Sequence, residues 1–157
     1  MSISQESKNF IKSLQIIHIF LLIGVLGFSG YVSYTLKEEL FFSYQEDKAF
    51  LFLAIIIAYI GNLSSKFIYA KLLNKIPEKA SLPKKGAKFS TAHIFRMALL
   101  EFPALLCVIF VLYTNNSFYF ILVGILVFLM LVSFPTKSSF EKDIPLTIME
   151  KSMLEKL

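Results

Sequence analysis

The chain has 157 residues, 56% of them hydrophobic and 17% charged, with a formal net charge of +5. Soluble domains carry nearer a quarter charged residues, and their apolar residues form stripes rather than unbroken runs of about twenty; a soluble globular domain is excluded, and the length leaves room for one small membrane bundle. A single cysteine, Cys107, rules out an internal disulfide and the membrane redox enzymes that need cysteine pairs.

Met1 to Ser13 is polar and holds Lys8 and Lys12. Leu14 to Leu36 follows without Asp, Glu, Lys or Arg, long enough at about 1.5 Å per residue to cross a core of about 30 Å. It is longer than a signal-peptide apolar region and no convincing cleavage site follows, so it reads as a first transmembrane helix over 14–36. Gly24, Gly27 and Gly30 recur every three residues, and Gly24 and Gly27 are candidates for close helix packing.

After a loop of mixed charge (Lys37 to Lys48), a second span is expected over 49–65. Its small residues Ala54, Ala58, Gly61 and Ser65 stand at i, i+4, i+7 and i+11, one face of a helix suited to a tight helix–helix contact. The helical pattern runs on past the span through Lys66, Lys71 and Lys75, whose stems can snorkel. Residues 66–91 form a connector rich in Lys, Pro and Gly, with Ser90 or Thr91 as the expected N-cap of the third span, 92–114. The polar turn Thr114-Asn115-Asn116-Ser117 folds the third span back on a fourth, 118–134, which carries no charge and ends before Pro135. In the tail, 135–157, Ile148, Met149, Met153, Leu154 and Leu157 are expected to lay a short apolar face on the membrane.

Positive charge sets the orientation. The connector from Lys66 to Arg96 holds eight Lys and Arg, the tail four and the N-terminal segment two, whereas the third loop has none. Both termini and the connector are therefore expected to be cytoplasmic. The basic residues flank apolar spans, which points to anionic lipid headgroups as partners and not to nucleic acid.

The third span is the one apolar stretch with two formal charges, Arg96 and Glu101, and it also holds His93 and Pro103. A charged side chain at the centre of a membrane helix costs roughly 2.5–3.5 kcal/mol on insertion scales, so such residues point to a site or a pairing. Arg96 and Glu101 are about 140° apart on an ideal helix and do not face each other; Arg96 stands near enough to the span's end to snorkel to phosphates. Pro103 removes the hydrogen bond to the carbonyl of Leu99 and leaves a polar notch beside Glu101. Glu101 either binds a proton or cation or fixes packing against another helix or subunit. His18, at comparable depth on the first span, is placed to meet it as a His–carboxylate pair. His18 and His93 together raise a bis-His haem, but two lone histidines do not specify one. No catalytic, metal-ligand or phosphate-loop motif occurs, and neither an enzyme activity nor a cofactor is expected. The triplet His-Ile-Phe opens both the first span, at His18, and the third, at His93, an echo of a tandem repeat.

Leu14 to His18, Arg96 to Glu101 and Phe134 to Lys137 together resemble a pattern of small four-span bacterial integral membrane proteins of Bacteroidota type. That resemblance implies a multi-pass inner-membrane protein and brings no activity with it. Ala98-Leu99-Leu100-Glu101 is also similar to the ion-binding helix of proton-carrying rotor subunits, but Phe102 and Pro103 depart from that pattern and the activity is not carried over. The expected protein is all-α, a four-transmembrane-helix bundle whose spacing allows two helical hairpins in tandem. Its first functional reading is a structural or accessory subunit of a membrane assembly, a homo-oligomer or one partnered by other membrane subunits. The alternative is a small proton- or cation-coupled carrier centred on Glu101.

Overall fold

Residues 3–155 are described by a computed structural model, and short connections link helices throughout. Six helices follow in order among these residues: α1 (Ile3–Thr35), α2 (Lys48–Leu73), α3 (Leu82–Thr114), α4 (Tyr119–Val132), α5 (Lys137–Asp143) and α6 (Ile148–Glu155). Three stretches, Phe10–Thr35, Lys48–Leu73 and Leu82–Thr114, are each long and apolar enough to cross a membrane. α4 has 14 residues, about 21 Å, and reaches a span's length only together with α5, which bends away from it by 79°. Its helix stops at Val132, two residues short of the expected boundary: Pro135 disfavours helical backbone at Phe134, and the N–H of the C-cap, Ser133, already returns to Leu129. The fold is that of a multi-pass helical membrane protein.

The four long helices run alternately up and down, and α3 is the axis. It packs along α1, α2 and α4, whereas α1 and α2 scarcely touch. The second expected hairpin, α3 with α4, is tightly packed through Asn115, whose left-handed φ of 56° turns the chain. In the first, α1 and α2 each lie against α3 instead of each other. Ala54, Gly61 and Ser65 on α2 are buried, with Ala58 partly so, and this stripe faces α3. An ideal Cβ on Gly61 would stand 2.7 Å from Pro103 Cγ and 2.8 Å from the Leu99 carbonyl oxygen. The carbonyl freed by Pro103 thus lies against the glycine, and only glycine fits. Gly24 and Gly27 are exposed, and nothing stands within 4 Å of an ideal Cβ on Gly27 or Gly30.

The connector is largely helical. α2 runs on to Leu73 and α3 begins at Leu82 with Ser81 as N-cap and Pro83 in its first turn, so the expected cap at Ser90 or Thr91 is wrong by more than two turns. Lys84, Lys85 and Lys88 disguise an amphipathic stretch: Leu82, Lys85, Gly86, Phe89 and Ala92 are all buried. They meet Leu14, Leu73, Ile76, Phe140, Ile144 and Leu154 in a second core at the end of the bundle that carries the termini, distinct from the apolar core between the spans.

The tail closes that end. α5 starts in a capping box between Thr136 and Ser139, and α6 in a second, where the Thr147 N–H donates to Glu150 Oε2 (2.8 Å) and the Glu150 N–H to Thr147 Oγ1 (3.2 Å). Leu154, expected on the membrane, is fully buried in the end core, while Ile148 and Met149 point outward; Leu157 lies outside the described residues. At the opposite end the buried Asn116 ties the α1–α2 loop to the α3–α4 turn. Its Oδ1 accepts from the N–H groups of Ser43 and Phe118, and its Nδ2 donates to the Ser43 carbonyl at 2.7 Å.

Candidate functional site

Two groups of polar side chains stand on α3, about two turns apart. The first lies near the termini end. α1 and α3 run parallel, which brings the two His-Ile-Phe triplets side by side and sets His18 Nδ1 3.0 Å from His93 Nε2, both rings buried. The imidazoles stack at 5.3 Å, Phe134 meets His18 edge-on at 5.0 Å and Phe89 lies over His93. At that separation the nitrogens share one proton in a hydrogen bond, and one ring donates while the other accepts. His18 Nε2 is buried without a partner. An orphaned N–H donor is rarer than an under-used acceptor, so the favoured tautomer has His18 Nδ1–H donating to His93. This corrects the expected His18–Glu101 contact: His18 stands level with His93, and Glu101 lies beside Gly24, further along α1.

Arg96 does not reach out to phosphates through all of its head. Its guanidinium carbon lies 4.9 Å above the Tyr69 ring, a cation–π arrangement, and its Nε is buried without a partner. Among the described residues it makes no salt bridge. The Tyr69 hydroxyl donates to Asp143 Oδ2 at 2.7 Å, so α2 carries the group's link to α5. Gln15 Nε2 donates to the Pro135 carbonyl, which ties the α4–α5 bend to α1. These residues form a polar cap over the end of the bundle.

Lys85 completes that cap and was not singled out by the sequence reading. Its side chain is fully buried and its Nζ donates to both carboxylate oxygens of Glu150, at 2.8 and 3.1 Å. The available signal was the spacing of Leu82, Lys85, Gly86 and Phe89, which puts Lys85 on the apolar face of a helix, where its charge demands a partner. Burial alone would raise the Glu150 carboxyl; the Lys85 ammonium and the hydrogen bonds from Thr147 outweigh it and hold Glu150 below the usual carboxylate value.

The second group is Glu101 alone. Its side chain is partly exposed on the α1 flank of α3, and Oε1 lies 3.7 Å from where a Cβ on Gly24 would stand. Gly24 is six residues beyond His18, about 9 Å along α1. Among the described residues Glu101 has no hydrogen bond and no ion pair. Cys107, a turn and a half further on, is buried among apolar side chains. No cluster of three or more metal-ligating side chains occurs among the described residues. No protein-family model matches this chain, and neither a curated protein nor a solved structure gives a match.

Proposed function

We propose that this protein is a structural or accessory subunit of a membrane assembly, seated in a bacterial inner membrane with both termini cytoplasmic, and that Glu101 is the residue through which it engages its neighbours. The observation that carries this reading is the unpartnered carboxylate of Glu101, half-sunk at the edge of α3 in a stretch of apolar helix. A carboxylate at such depth is costly unless it is paired or hydrogen-bonded, and the described residues of its own chain supply no partner. The basic connector and tail fit an anionic headgroup layer on the cytoplasmic face. The small-residue stripe of α2 is largely buried in the contact with α3.

The carrier reading is the weaker one. It needs Glu101 and His18 to exchange a proton, whereas His18 is engaged by His93 and Glu101 sits further along the helix. The test is affinity purification from native membranes in mild detergent, on wild type and Glu101→Gln. The subunit reading expects defined partners at fixed stoichiometry with the wild type and their loss in the variant. If both chains purify as the same lone species the reading fails, and Glu101-dependent proton flux in liposomes would establish the carrier in its place.

A further inference from the structure

The way α3 is enclosed says where a partner fits. α1, α2 and α4 cover three sides of it, and since α1 and α2 scarcely touch, the side between them stays open. Along that side Thr91, Phe95, Ala98, Phe102, Ile109 and Tyr113 are exposed at helical spacing. On the α2 flank a shallow apolar groove of about 180 Å³ is lined by Ile57, Gly61, Ser64 and Phe102, among others. On the α1 flank stands the carboxylate of Glu101, 3.7 Å from where a Cβ on Gly24 would be, with open space over Gly27. This exposed side runs the length of a span, from Thr91 to Tyr113, and Glu101 is the charge nearest its middle.

Charge decides between possible occupants. A second copy lying parallel would bring apolar side chains, the Ser64 hydroxyl and another Glu101 to this depth. Its Arg96 would not meet the carboxylate, because it lies five residues nearer the termini end, about 7.5 Å away, with its guanidinium over Tyr69. Two carboxyls facing each other at span depth cannot both stay ionised, and neither supplies the other with a counter-charge. Lipid tails offer Glu101 no donor at all. A helix carrying a basic side chain at this depth neutralises the carboxylate and fills the groove, and a small residue beside it would let the backbones approach over Ala98.

Resting on the subunit reading, we infer that the open side of α3, between α1 and α2, seats a transmembrane helix of a different chain that presents a Lys or Arg to Glu101. The test is site-directed photo-crosslinking in the native membrane, with a photoreactive residue at Phe102 on the open side and, separately, at Phe128 on the outer face of α4. The expected result is a heterologous adduct from position 102. Its cross-linked peptide maps to a membrane span with a Lys or Arg within about one turn of the attachment point. Glu101→Gln lowers its yield roughly tenfold, and Glu101→Lys restores it when the partner's basic residue is changed to Glu. An adduct with a second copy, adducts with lipid alone, or a partner span without a basic residue would each overturn the assignment. If position 128 captures a partner while 102 captures none, the protein is a subunit but this side is not its seat; if neither captures a polypeptide, both readings fall.

Discussion

His18 and His93 show how a polar residue at span depth is satisfied from within. Their hydrogen bond joins α1 to α3 where the two helices enter the apolar region, and interhelical bonds of this kind contribute on average about 0.6 kcal/mol and up to roughly 1.7 in membrane proteins. A double-mutant cycle of His18→Ala and His93→Ala, read by unfolding in detergent, is expected to give a coupling within that range; additive single effects would mean that the rings merely pack. Asn116 is a second such residue, with three hydrogen bonds to the loops at the opposite end. Asn116→Ala leaves two backbone N–H groups and a carbonyl without partners, for a loss of about 1–3 kcal/mol in the same assay. His18 and His93 were visible in the sequence as exceptions in apolar runs, and Asn116 as part of a polar turn. Which of them meet was not, because it depends on the rotation of α1 about α3, and hydropathy does not encode that rotation.

At the scale of elements, the contrast between two glycines tests the packing of α2 on α3. Gly61→Ala drives a methyl group into Pro103 and the Leu99 carbonyl, and overpacking of this kind costs about 1–3 kcal/mol. Gly27→Ala meets nothing and is expected to stay within about 0.5 kcal/mol of wild type; equal effects at both positions would contradict the packing described here. The tail helix α6 is held by a different force. Because the Glu150 carboxyl titrates lower in the folded chain than its unfolded value of about 4.3, its contribution is fully present above that value. It is lost as pH falls through the lower, folded one. Hydrogen exchange of α6 amides, corrected for intrinsic rates, is therefore expected to show protection near pH 7 and its loss toward pH 3, with α1 to α3 still protected. Unchanged α6 protection would place its stability in Leu154 alone. The long helices were legible because each is an apolar run of span length. The first three turns of α3 were not, because lysines in the sequence look like a solvated connector, although one of them, Lys85, is buried against Glu150.

At the scale of the whole molecule, the bundle is built around one helix and closed at both ends, by Asn116 at one and the folded tail at the other, yet open along one side. The loops at one end and the tail at the other are tied to the helices by hydrogen bonds; Glu101, on the open flank, has no such bond among the described residues. The measurement that tests this account most directly is the native mass of the particle extracted from its own membrane in lipid discs, without detergent. Wild type is expected to carry further polypeptide beyond its own 17.9 kDa, and Glu101→Leu to run at the mass of the single chain. A wild-type particle holding only the single chain, or the same larger mass in both, would contradict the role given to Glu101.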